Sequence, residues 1–117
     1  MNLTIGFLGL GLIGGSIAKS IRKYHPDYTL IGYNHNYETT VLAKKEQILD
    51  YAAEEVDASF QNCDIIYLCM PVSLNEDYLI KIKPYLKPGC ILTDVGSVKG
   101  TIHRAVKNLS LEAYFIG

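Results

Sequence analysis

The sequence carries no excess of charge of either sign. Its 11 Lys and Arg stand against 12 Asp and Glu, a formal net charge of −1 over 117 residues. That balance gives no pull toward nucleic acid or an anionic membrane surface, so neither is expected as a partner. Cysteine is also scarce. Cys63, Cys69 and Cys90 make an odd number with no C-x-x-C pair, which argues against a disulfide framework or a zinc site. Cys69 and Cys90 lie in apolar runs, where cysteine packs as a small hydrophobe. The expectation is a reduced, cytoplasmic protein with no metal. A signal peptide needs a basic start, and Asn2 and Leu3 offer none. No run reaches the length of a membrane span. Repeats, low-complexity tracts and linkers are missing too, so residues 1–117 read as one domain.

What is present is a globular composition, 49% hydrophobic and 20% charged, and an alternation of two periodicities. Residues 3–8 are a short apolar run closed by glycine, a buried strand. Residues 14–24 have Ile17 and Ile21 at helical spacing and stop before Pro26. Residues 28–33 read as a second strand and 37–47 as a helix. Residues 50–55 are ambiguous and have room for a short third strand; 56–62 suit a short helix. The run "DIIYLCM", 64–70, closed by Pro71, has the continuous apolar character of a strand buried on both faces. A helix over 74–86, a strand over 90–94, a helix over 100–108 and a last strand over 113–116 follow. Such alternation predicts an α/β domain of the Rossmann type. It would be a doubly wound, mostly parallel sheet of about six strands with helices on both faces.

The first strand runs into "GLGLIGGS", residues 9–16. Glycine weakens a strand or helix by roughly 0.5–1 kcal/mol per site, so a cluster of them needs a reason. Gly9, Gly11 and Gly14 spell G-x-G-x-x-G, and here a strand precedes and a helix follows. Gly9 permits the tight turn. Gly11 lets a dinucleotide pyrophosphate approach the backbone, and Gly14 lets helix and strand pack closely. The helix N-terminus then offers free N–H groups to the phosphates. Such a unit usually carries an acid about 20 residues further on, at the end of the second strand, to hold the adenosine ribose. This sequence has Asn34 and His35 there. Without a carboxylate, both NAD and NADP are admissible. His35 reads equally as an exposed loop residue or as a group that meets a 2′-phosphate.

Ligands of open α/β sheets bind outside the carboxyl ends of the strands. Two further ends are polar or sharply turned: "CMPVS", residues 69–73, and "TDVGSVKG", residues 93–100. Asp94 and Ser97 read as helix-capping and turn residues, and for Ser97 a place in the site is an equal alternative. Lys99 and His103 read as exposed helix positions, and His25 as a loop residue.

In this order the segments resemble prephenate dehydrogenases. The family's N-terminal domain carries G-x-G-L-I-G-G-S, matched at residues 9–16. It has a C/S-x-P-V loop, matched at 69–72, and L-x-P-G followed by D-x-G-S-x-K, matched over 86–99. The resemblance implies oxidative decarboxylation of prephenate to 4-hydroxyphenylpyruvate in tyrosine biosynthesis, with hydride passed to NAD(P)+; arogenate is the alternative substrate. It also implies site residues. Gly9, Gly11, Leu12, Ile13 and Gly14 would hold the pyrophosphate. Asn34 and His35 would sit at the adenosine ribose, and Cys69, Met70, Pro71 and Ser73 along the cofactor path. Ser97 would hydrogen-bond the substrate hydroxyl near the nicotinamide.

Two departures are visible. Asn34 stands where NAD-using members usually have Asp. The sequence also stops at Gly117, before the family's S-H-P-M-A-G motif, whose His interacts with the reacting hydroxyl, and before its C-terminal helical dimerisation domain. None of His25, His35 and His103 lies at the matching place. The expectation is a nucleotide-binding portion that shows no turnover alone, binds dinucleotide more weakly than the whole enzyme, and self-associates as a homo-oligomer. The alternatives are a standalone NAD(P)-binding module without catalysis, or another reductase like 6-phosphogluconate dehydrogenase. The D-V-G-S-V-K loop argues against the last.

Overall fold

Five short apolar runs become strands: β1 (Thr4–Leu8), β2 (Thr29–Tyr33), β3 (Tyr51–Ala53), β4 (Ile65–Leu68) and β5 (Ile91–Asp94). The computed structural model describes residues 2–70, 72–95 and 99–116, with backbone alone at 72, 73, 75 and 99–103. All strand pairings are parallel, in the order β3-β2-β1-β4-β5. The order reverses direction between β1 and β4, the switch point at which doubly wound sheets bind ligands. Register decides what meets there. Leu8 lies opposite both Tyr33 and Leu68, and Leu68 lies opposite Asp94. The residues that follow these four strands therefore emerge along one edge.

Among the described residues four α-helices cover the sheet: α1 (Leu12–Tyr24), α2 (Tyr37–Lys45), α3 (Val72–Ile82) and α4 (Lys99–Asn108). Alternate strand residues face opposite sides, and the core divides accordingly. Ile5, Phe7, Leu30 and Leu49 pack with Ala18, Ile17 and Ile21 of α1. Leu8, Ile31, Ile66 and Leu68 pack with Tyr78, Leu79 and Ile82 of α3 and with Ala105 and Val106 of α4. The sequence expectation of a doubly wound α/β sheet holds.

The elements differ from the periodicity reading in instructive ways. Helix α1 begins at Leu12, two residues before the expected start, because Gly11 is its N-cap. The 74–86 helix begins earlier, at Val72, and ends at Ile82. A 3-10 turn over Lys83–Tyr85 follows, where Pro84 has no N–H to continue the α ladder. The expected 56–62 helix is a 3-10 turn over Ala58–Phe60, capped by Asp57 accepting from Ser59 N–H at 2.9 Å. The last expected strand reduces to one parallel bridge between Leu92 and Phe115. There Leu92 N–H donates to Tyr114 O at 2.7 Å and Ile116 N–H to Leu92 O at 2.8 Å.

The amino-terminal edge of the sheet is tied by two ion pairs. Arg22, at the end of α1, donates to Ile48 O (3.2 Å), Pro26 O (3.0 Å), Tyr28 O (2.9 Å) and Asp50 Oδ2 (2.6 Å). Asp50 Oδ2 also accepts Leu30 N–H at 2.8 Å, at the start of β2. Asp64, at the start of β4, accepts Thr4 N–H at 2.8 Å and Lys87 Nζ at 2.7 Å. These links join the strand beginnings to α1 and to the turn before β5.

Candidate functional site

The opposite edge is built mainly from glycines, amides and apolar side chains, with Asp94 buried at the end of β5. Gly9 leaves β1 with φ +103 and donates its N–H to Tyr33 O at 2.7 Å. A Cβ there would lie 2.7 Å from Met70 Sδ and 2.8 Å from Cys69 O, so both conformation and space require glycine. At Gly14 a Cβ would stand 2.6 Å from Gly9 O and 3.1 Å from Cys69 Cβ. The first turn of α1 thus rests directly on the ends of β1 and β4. At Gly11 a Cβ would meet nothing within 4 Å; this position borders open space. Gly6 makes room for Phe60 and Cys63, each 2.9 Å from where its Cβ would be.

Helix α1 opens toward that space with an unusually bare N-terminus. No side chain caps it, and its first turn holds no acid. Gly15 N–H is satisfied by Gly11 O at 2.8 Å, while the N–H groups ahead of it have no intrahelical acceptor. This is the arrangement that favours an anion. The two apolar residues of the turn point outward: Leu12 is 92% exposed and Ile13 54%.

Beside it lies a cleft of about 460 Å³ at the switch point. The β1 end contributes Gly9, Gly11 and Ile13; the β2 end Asn34 and His35; the β4 end Cys69, Met70 and Leu74; the β5 end Val95. Asn34 Oδ1 accepts Leu10 N–H at 2.9 Å, and Nδ2 donates to Asn36 O at 3.2 Å. Asn36 Oδ1 in turn accepts Glu38 N–H at 3.1 Å and caps α2. His35 is exposed. Burial pushes the Cys69 thiol up to about 12, so Cys69 is a neutral wall of the cleft and no nucleophile. Asp94 is buried at the end of β5.

Of the residues expected from the sequence, Gly9, Gly11, Ile13, Asn34, His35, Cys69 and Met70 line this cleft. Gly14 supports it from beneath. Leu12 lines a neighbouring cleft of about 630 Å³ between α1 and α2, which shares Gly11 and Asn34 and adds Ser16, Lys19, Thr39 and Glu46. Pro71 and Ser97 lie outside the described residues, as does the side chain of Ser73. The sequence reading missed Leu74 and Val95 as lining residues. Val95 could have been found, since it is the first residue past β5. A hollow of about 690 Å³ beside the edge strand β3 is lined by Glu54, Glu55 and Asp57 against the single cation Lys44, a balance that does not favour phosphate. Among the described residues no group of His, Cys, Asp and Glu is placed to hold a metal, and no helix is long and apolar enough to cross a membrane.

Residues 17–117 match the family model described as prephenate dehydrogenase, nucleotide-binding domain. A prephenate dehydrogenase of Lactococcus lactis is 38% identical over 113 residues, covering 94% of this chain and 31% of its own. Among solved structures, Synechocystis arogenate dehydrogenase superposes with a TM-score of 0.83 at 37% identity, over 92% of this chain and 37% of that one. A prephenate dehydrogenase from A. aeolicus in complex with hydroxyphenyl propionate and NAD+ gives a TM-score of 0.87 at 28% identity, over 98% of this chain and 40% of that one. The chain spans about a third of the length of the curated relatives it matches.

Proposed function

The chain belongs to the prephenate dehydrogenase nucleotide-binding domain family, and on that premise we propose that it is the dinucleotide-binding part of a cytoplasmic NAD(P)-dependent dehydrogenase of tyrosine biosynthesis. The reaction is oxidative decarboxylation of prephenate to 4-hydroxyphenylpyruvate, or of arogenate, its amino counterpart. The observation that carries the reading is the convergence of four strand ends on a glycine loop and an uncapped, acid-free helix N-terminus. The residues present fit a dinucleotide: an open approach at Gly11, donors at the start of α1, and a trough from Asn34 to Val95 whose described lining holds no Asp, Glu, Lys or Arg.

Bound there, NAD(P)+ supplies the hydride acceptor for the ring carbon that bears the substrate hydroxyl. The chain's own residues position it. Gly11, Leu12, Ile13 and Gly14 hold the pyrophosphate through backbone N–H groups; Asn34 and His35 face the adenosine ribose; Cys69, Met70, Pro71 and Ser73 wall the path toward the nicotinamide. Ser97 orients the substrate hydroxyl. A neutral serine is too weak a base to take its proton at neutral pH, and no described histidine lines the β4 and β5 side of the cleft. These 117 residues are therefore assigned binding without turnover, and self-association through apolar surface such as Ile116, 60% exposed.

Calorimetric titration of the purified chain with NAD+ and NADP+, alongside a prephenate oxidation assay, tests this. Heat of binding with at least one dinucleotide and no turnover is expected. No heat with either contradicts the binding role; measurable turnover contradicts the assignment of inactivity.

A further inference from the structure

Tyr33, the last residue of β2, is bonded in two directions. Its carbonyl accepts Gly9 N–H at 2.7 Å, which holds the glycine loop. Its hydroxyl lies 3.1 Å from the hydroxyl of Tyr78 on α3, and the two rings stand 5.5 Å apart between centroids with their planes tilted by 44°. Strand β1 lies between β2 and β4 in the sheet, so the contact bridges from one strand end to the helix that leaves the other. Burial, and then the Tyr78 hydroxyl, push the Tyr33 hydroxyl above its usual range, so it keeps its proton at neutral pH. Lys81 Nζ sits 4.8 Å from the centre of the Tyr78 ring, a cation–π contact on the same side chain.

The two elements joined this way are two walls of the cleft at the switch point. Asn34 and His35 follow Tyr33 directly and line it. Leu74, one turn before Tyr78 on the same face of α3, lines it from the other side. Among the described side chains of α3, the buried ones are Tyr78, Leu79 and Ile82, all in its carboxyl half. Leu74, nearer the cleft, is half-buried. Packing therefore anchors the far half of α3, and the hydroxyl pair lies where that anchor gives way to the cleft wall. Apolar burial is non-directional, whereas a hydrogen bond has a preferred length and angle. The pair thus fixes how far α3 stands from the end of β2.

We propose that the Tyr33–Tyr78 hydroxyl pair is a positioning strut, which sets the spacing of the β2 and α3 walls and holds the cleft ready for a dinucleotide before one arrives. The inference rests on the dinucleotide reading above and adds two positioning residues to the same site. Neither tyrosine belongs to the described lining of the cleft; they act through Asn34, His35 and Leu74. A cleft whose walls are already spaced loses less free energy to ordering on binding.

The test is calorimetric titration of the full 117-residue chain and of its Tyr33→Phe, Tyr78→Phe and doubly substituted variants, beside a thermal melt of each. The titrant is whichever of NAD+ and NADP+ the wild-type chain binds more tightly. Each substitution keeps the ring and removes one hydroxyl. Either single variant should bind about three- to tenfold more weakly, the size of one neutral hydrogen bond. The double variant should bind no more weakly than the singles, because the same link is lost only once. A purely structural link would lower the melting temperature and leave the affinity of the folded chain as it was. That result overturns the inference and leaves the dinucleotide reading standing. Losses that add in the double variant overturn it as well. A wild-type chain that binds neither dinucleotide overturns the dinucleotide reading itself, and the inference with it. Should one single variant not fold, the other, against wild type, decides by its affinity.

Discussion

The two edges of the sheet are held by opposite means. At the amino-terminal edge, charge does the holding: both ion pairs between described residues, Arg22–Asp50 and Lys87–Asp64, lie there, and their carboxylates accept from the backbone of β2 and β1. At the carboxyl-terminal edge the holding is steric. Gly9 and Gly14 bring backbone within contact of Cys69 and Met70, and one neutral amide, Asn34, ties the loop to β2 and α2. The lesson is one of division. A side-chain carboxylate beside the start of α1 would occupy its N–H groups or repel an anion there; Asp94, at the end of β5, is buried and does not belong to the described lining of the cleft. Placing the charged links at the first edge secures the strands and leaves the second edge electrically suited to phosphate.

Substitutions at each edge should separate these roles. Gly14→Ala comes first. Its Cβ would sit 2.6 Å from a backbone oxygen, so α1 must move off the strand ends. We expect a loss of about 2–3 kcal/mol, from overpacking against backbone, in denaturant unfolding, and loss of dinucleotide binding with it. A neutral result would mean that the close approach is not needed. Arg22→Ala is next. It removes donors from three carbonyls and from Asp50, which should cost about 2 kcal/mol. Dinucleotide affinity of the folded fraction should stay the same; a matching drop in affinity would show that the edges are not independent.

Asp64→Asn should have a smaller effect, about 1 kcal/mol for a partly exposed pair. It carries a pH signature as well. The Lys87 ammonium, and then the Thr4 N–H, hold the Asp64 carboxyl below the usual carboxylate range. A depressed folded value means that the contribution is fully present above the unfolded value of about 3.9 and is lost as pH falls through the lower folded value. Thermal melts on descending from about pH 5 to pH 2 should therefore converge for wild type and variant. Curves that stay parallel would remove Asp64 from the account of this edge.

The sequence made the second edge easier to read than the first. Gly9, Gly11 and Gly14 are close in the chain, and their spacing between a strand and a helix has few uses. The strand ends at Asn34 and Cys69 followed from parallel pairing alone. The charged links were not legible, because Arg22 meets Ile48 and Asp50, 26 and 28 residues away, and only the folded sheet brings them together. Boundaries suffered for local reasons. The start of α1 was hidden because Gly11 caps it without a polar side chain. The 113–116 segment looks like a strand, yet it touches the sheet through a single bridge at Phe115. Gly6 could not be explained before Phe60 and Cys63 were seen beside it.

Gly11 separates fold from function most directly. Beyond its chain neighbours, a Cβ there meets no atom of the described residues within 4 Å, and its backbone, at φ −68 and ψ −161, suits any residue. If the loop is built for a ligand, Gly11→Val should unfold within about 0.5 kcal/mol of wild type and yet fail to bind NAD+ or NADP+ in calorimetry. Wild-type affinity in a folded Gly11→Val chain would contradict the claim that the glycine loop is where the dinucleotide lies.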